Sequence, residues 1–220
     1  MKPFRICLVI LSVVALQSQA LAQRTFEATI THDQETGVAG QTPLVTSGPN
    51  PMSRPLSFGS AVFTLNAAMT SLSFVATIFN IDVTGLQTPN DLNDNLTAAH
   101  IHAGALTGQR GTTAGVVWGF FGSPFNDNNP NDAMMTPFVS GVGGIFSGKW
   151  DLTEGNGTTL AAQLANIFAE RAYINFHTVQ FPGGEIRGQI VPDAGSSALL
   201  LGLAVTGLVL ARAQTRRARV

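Results

Sequence analysis

A recurrent alternation of apolar and polar side chains with a period of two restricts the fold of this chain more than any other feature. Residues 25–31 place Phe26, Ala28 and Ile30 on one side and Glu27 and Thr29 on the other, the pattern of a strand with one buried face. Comparable segments recur at 61–65, 72–81, 99–104, 115–121, 144–152, 172–179 and 185–191. Stretches rich in Gly, Pro, Asn and Asp at 40–55, 89–95 and 126–137 separate several of them. One helix is predicted, with Thr158-Thr159 as its cap and Leu160, Leu164, Ile167 and Phe168 at helical spacing. Eight or so short strands with one small helix predict an all-β sandwich, and no fixed-period repeat interrupts that reading.

The two ends of the chain are not part of this pattern. Residues 1–22 carry Lys2 and Arg5, an apolar run from Ile6 to Leu16, and a small-x-small Ala20-Leu21-Ala22, which predicts a secretory signal cleaved before Gln23. The single cysteine, Cys7, lies inside that segment, so the mature chain has no thiol for a disulfide or for catalysis. At the other end, Val191-Pro192-Asp193-Ala194-Gly195 precedes an uncharged segment, 196–211, and then Arg212, Arg216, Arg217 and Arg219. That segment gives ~24 Å of helix, slightly short of a ~30 Å hydrocarbon core, a gap that snorkelling arginines and local thinning can close. The arginines are expected on the cytoplasmic side, leaving the bulk of the chain outside.

Residues 23–190 between these ends are long enough for one domain with its own core. They contain six basic and twelve acidic residues, a net charge of −6 that the whole-chain value of −1 hides. An acidic module without a basic patch is a poor partner for nucleic acid. No Gly-x-Ser-x-Gly, phosphate loop or dinucleotide fingerprint occurs, and no enzyme activity is expected.

Three of the four histidines fall in two of the strand-like segments, Ala99-His100-Ile101-His102-Ala103-Gly104 and Tyr173-Ile174-Asn175-Phe176-His177-Thr178. In an extended chain His100 and His102 share a face that Ile101 does not. The second segment continues through Phe181-Pro182-Gly183-Gly184 to Glu185-Ile186-Arg187-Gly188-Gln189. A three-residue loop at 182–184 would set His177 opposite Gln189 and Phe181 opposite Glu185. Tyr173, Asn175 and His177 would then share a face with Glu185 and Arg187, and Ile174, Phe176, Ile186 and Ile190 would enter the core; an even-length loop would mix the two sets.

These histidines admit two readings. One is a zinc or copper site on His100, His102 and His177, with a position open to water or to a carboxylate such as Glu185. The other is a hydrogen-bonded His/Asn/Tyr/Arg/Glu network that orders the fold. The network is the default expectation, with no cofactor, and the metal site is the alternative. Asp91, Asp94, Asp127 and Asp132 sit in Asn/Asp-rich loops without EF-hand spacing; solvated turns are expected there rather than calcium ligands. Trp118, Phe120, Phe121, Phe146 and Trp150 are read as core aromatics.

Two resemblances follow from these motifs. His-Ile-His-x-Gly (His100, Ile101, His102, Gly104), followed by Tyr-Ile-Asn-x-His-Thr-x-x-Phe-Pro-Gly-Gly-Glu-Ile-Arg-Gly from Tyr173 to Gly188, resembles the CHRD domain. That domain is named for its repeats in chordin and is widespread in bacterial secreted proteins. The resemblance implies an immunoglobulin-like or superoxide-dismutase-like sandwich across residues 25–191. Copper/zinc superoxide dismutases also use His-x-His on such an architecture, but their ligand set needs more histidines than this chain has. The tail from Val191 to Val220 resembles the PEP-CTERM class of bacterial sorting signals in its Val-Pro-Asp-x-Gly variant. Val191, Pro192, Asp193 and Gly195 match, and Ala194 stands where Ser or Thr is usual. The resemblance implies an exosortase-type processing enzyme, and either membrane anchoring or release to the cell surface or matrix. Envelope or matrix components are the expected partners.

Overall fold

The computed structural model describes residues 23–36, 44–104, 108 and 111–193. The predicted signal segment at 1–22, the apolar segment at 196–211 and Gly195 lie outside the described residues. No helix among the described residues is long and apolar enough to cross a membrane.

Among the described residues the alternation is realised as ten strands: β1 Arg24–Thr31, β2 Phe58–Leu65, β3 Ser71–Phe79, β4 Leu96–Ala103, β5 Val116–Phe121, β6 Met134–Pro137, β7 Gly143–Asp151, β8 Ala172–Thr178, β9 Ile186–Gln189 and β10 Val191–Pro192. An α-helix, α1 (Leu160–Phe168), sits between β7 and β8 and is capped by the Thr159 side chain, which accepts from the Ala162 amide at 3.3 Å. Leu160 and Ile167 are buried on its inner side, as their spacing predicts.

All strand pairings are antiparallel, and the strands run β5-β4-β8-β9-β1-β2-β3-β7-β6 in one continuous sheet. The sandwich expected from the sequence therefore takes a different form: one curled half-barrel sheet whose halves face each other. The halves join where β9 and β10 meet β1. Thr31↔Arg187, Glu27↔Val191 and Phe26↔Pro192 share one register, so β9 and β10 are one interrupted strand laid along β1. Within β9, Gly188 lies close against β1, where any Cβ would press into the Thr29 carbonyl and Ile30.

Aromatic rings fill the space between the halves. Trp118 of β5 stacks on Trp150 of β7 at 5.7 Å and meets Phe74 of β3 edge-on. Phe120 contacts Phe74 and Phe146, and Phe176 of β8 meets Phe146 at 5.4 Å. Trp118, Trp150, Phe146 and Phe176 are all buried, with Phe121 packed against their edge. β6 is a strand the sequence reading missed: residues 134–137 fell in a stretch assigned to a loop, and Pro137 argues against a central strand. Its place as an outer strand beside β7 alone accommodates that proline.

Phe176→Ala, which empties a fully buried ring site, is expected to lower unfolding free energy by about 3–5 kcal/mol. Val75→Thr, on the half-exposed outer face of β3, is expected to change it by less than about 0.5 kcal/mol. Urea denaturation of both variants checks the assignment of inner and outer faces.

Candidate metal centre

β4 and β8 send Ala99, Ile101, Ala103, Ile174 and Phe176 into the aromatic core. Their alternate side chains, His100, His102, Tyr173, Asn175 and His177, lie on the opposite face, yet all are buried. Cross-strand pairing sets His100 against Asn175, His102 against Tyr173 and Ala98 against His177. On the β5 side, irregularities in the ladder fall at Ala99/His100 and Ile101/His102, breaks that re-aim side chains on the strand. Gly119 pairs with His100, and a side chain there would collide with the Pro124 carbonyl and the His100 ring.

Loop backbone covers this polar face and supplies acceptors to each ring. His100 Nε2 lies 3.1 Å from the Ser123 carbonyl, His102 Nδ1 2.9 Å from that of Ala114, and His177 Nδ1 3.0 Å from that of Pro182. A carbonyl only accepts, so each of these nitrogens carries its ring's proton. The other nitrogens, His100 Nδ1, His102 Nε2 and His177 Nε2, are then bare lone pairs. His100 Nδ1 and His177 Nε2 face each other at 3.2 Å, and His102 Nε2 is buried with no hydrogen-bond partner. One ligand nitrogen from each ring lies within 4.8 Å of the others, and among the described residues this is the one such His/Cys/Asp/Glu group.

Burial opposes relieving that crowding by protonation. It is the main cause that holds His100 down at about 3, with His177 and His102 adding to it. Burial also lowers His102 to about 4, against the pull of the Ala114 carbonyl, and lowers His177. Neutral imidazoles anchored through backbone carbonyls can present their other nitrogens to a transition metal, the carbonyls then acting as the outer hydrogen bonds that fix each tautomer.

The other sequence-derived candidates divide. Tyr173 lies between His102, stacked on it at 4.9 Å, and Arg187, whose guanidinium is 4.5 Å from its ring centre. The Tyr173 hydroxyl accepts from the Ala114 amide at 3.1 Å, and Arg187 donates to the carbonyls of Gln34 and Thr112. Glu185 departs from expectation. The register sets Tyr173 opposite Gln189 and Asn175 opposite Arg187, with Phe176 and Ile186 as the last pair, so the pairing is shifted by four residues from the one predicted and the loop is longer than three residues. Its odd length keeps the predicted faces for Ile174, Phe176, Ile186 and Arg187. Glu185, however, turns away from the histidines: Arg54 clasps its carboxylate through two bonds of 2.8 and 2.9 Å, and Ser57 and Thr178 donate to it. It is not a fourth ligand.

Sequence reasoning missed Arg54 and also Glu35, a buried carboxyl raised by burial and drawn back by Arg187; neither stands in a chemical motif. His32 bonds the Glu185 carbonyl and packs on Phe181, apart from the triad. The acidic loops are not solvated turns. Asp91, Asp94 and Asp127 are buried. Asp91 accepts the amides of Ser47 and Asn93, Asp94 the Thr88 hydroxyl, and Asp127 the amides of Asp132 and Ala133, while Asp132 pairs with Lys149.

Comparison with known families agrees with both resemblances. The CHRD domain matches residues 26–190, and the VPDSG-CTERM motif, a PEP-CTERM-like sorting signal, matches residues 191–214. The chain belongs to the CHRD domain family. No curated protein and no solved structure matches it.

The lowered imidazoles set a direction for stability of the metal-free protein. Below about pH 6.5 the unfolded chain binds protons that the folded histidines refuse, so these residues lose stabilising effect as pH falls toward 4. Asp94 and Asp127, raised mainly by burial to about 6, run the other way: the folded form keeps protons that the unfolded chain has already lost. The informative quantity is thus a difference. Between pH 7 and 4.5, the stability of the wild type relative to His100→Gln is expected to fall by about 2–3 kcal/mol, as read by urea titration at both pH values.

Proposed function

We propose that this CHRD-domain protein is exported and sorted to the bacterial envelope or extracellular matrix, where it serves as a metal-binding structural module rather than an enzyme. The metal reading rests on one observation: three buried imidazoles, each with one nitrogen bonded to a backbone carbonyl, offer one ring nitrogen apiece within 4.8 Å of the others. Zinc and copper are the candidate ions, since imidazole suits both. Tyr173, Asn175 and Arg187 hold the surrounding face, and the facing halves of the sheet support an immunoglobulin-like or superoxide-dismutase-like sandwich. The location rests on the sorting signal at 191–214. On this reading residues 1–22 are a cleaved signal, residues 196–211 anchor the chain in the membrane, and an exosortase-type enzyme processes the tail. The ligands or partners met at the surface are envelope or matrix components rather than nucleic acid.

The exported protein is expected to carry about one equivalent of transition metal per chain, and the triple variant His100→Gln, His102→Gln, His177→Gln to carry none. Elemental analysis after export checks this, and equal metal content in a folded triple variant would sink the metal reading.

A tag fused after Val220 is expected to be absent from mature surface protein and present on the chain in cells lacking the processing enzyme. Immunoblotting of surface fractions tests it; a tag retained on the mature form would contradict processing.

A further inference from the structure

Building on the metal reading above, we propose that the ion held by His100, His102 and His177 is monovalent copper, in three-coordinate geometry, in preference to a divalent ion. The argument starts from charge. All three donors are neutral imidazoles, and among the described residues no carboxylate joins their group. Glu185 is paired with Arg54, and Glu35 is drawn to Arg187. An ion in this site brings its charge into a buried region without an anionic ligand. The Born cost of such burial scales with the square of the charge, so a divalent ion meets about four times the penalty of a monovalent one.

A fixed positive charge works in the same direction. The Arg187 guanidinium lies over one face of Tyr173, and His102 is stacked on that ring. Its field is felt at His102, where it helps to lower the imidazole. Repulsion from this charge is about twice as large for a divalent as for a monovalent ion.

Coordination number points the same way. Structural zinc takes four protein ligands, and three-ligand zinc keeps a fourth position open to water. The three histidines are at most 8% exposed, and the Pro124 carbonyl closes over Gly119 beside His100, so the site resembles neither arrangement. A closed set of three imidazoles suits monovalent copper, which accepts two or three ligands; the filled d shell it shares with zinc imposes no geometry on either ion. Bonds of ~2.0 Å imply nitrogen separations of ~3.3–3.5 Å. His100 and His177 already stand at 3.2 Å, and the outermost of the three nitrogens, within 4.8 Å of the others, closes the remainder on binding.

The test uses the exported protein stripped of metal, titrated under anaerobic conditions against a chromophoric Cu(I) chelator, and separately with Zn(II) and Cu(II) against matched chelators. One Cu(I) per chain is expected, bound at least ~100-fold more tightly than Zn(II), with a three-nitrogen shell in X-ray absorption. Zn(II) or Cu(II) binding as tightly at the same histidines would overturn the preference and leave the metal site standing. Failure of all three ions to bind a protein that circular dichroism shows to be folded would overturn both. The comparison is made on the wild-type chain, so it does not depend on any variant folding.

Discussion

Outside the aromatic core, this structure turns on the rule that a side chain facing away from the core must meet water or a hydrogen-bond partner. β4 and β8 point His100, His102, Tyr173, Asn175 and His177 away from the core, and loops 111–115, 122–126 and 180–185 close over them. Once water is excluded, each imidazole proton must go to a fixed acceptor, and the carbonyls of Ser123, Ala114 and Pro182 take them. That allocation leaves the remaining three nitrogens bare. The hydrogen-bonded network and the proposed metal site, which look like rivals in the sequence, are compatible: the network fixes the tautomers, and the tautomers leave one lone pair free on each ring.

Much of the fold was legible because the period of two is a local property. Phe26, Ala28 and Ile30, the cap and inner face of α1, and the core placement of Ile174, Phe176, Ile186 and Ile190 all follow from side-chain alternation or helical spacing. What was not legible depends on contacts distant in the chain. Parity at the Pro-Gly-Gly turn was readable, because mixing faces would bury charge. Turn length was not, because it is set by Phe181 folding inward and by Thr178 and Glu185 meeting across the loop. The orientation of Glu185 follows from Arg54, 131 residues away in sequence, and no local pattern announces that pairing.

The candidate site divides along the same line. His100 and His102 on one face could be read from spacing alone, and His177 could be added through its motif. Their convergence could not, since it depends on the β4–β8 register and on the ladder breaks beside each histidine. The acidic loops show the converse error. Asp91, Asp94 and Asp127 look like solvated turn residues by composition, but they act as buried acceptors for loop amides and hydroxyls. Composition reports how polar a loop is, not whether its polar groups face outward or bind the loop to itself.

The sorting motif and the domain are not separate in space. Val191 and Pro192 pair with Glu27 and Phe26, and the Asp193 amide bonds the Thr25 carbonyl at 3.1 Å. The motif therefore begins as the last piece of the strand that joins the two halves of the sheet, in the same register as Arg187. A cut beyond Asp193 leaves this strand whole, whereas a cut before Val191 would strip β1 of two of its three pairings on that side. Arg187, which supports Tyr173 and through it His102, lies on the same strand. The histidine face and the start of the sorting motif thus lie on one strand, and a cut beyond Asp193 is the one that keeps all of its pairings with β1.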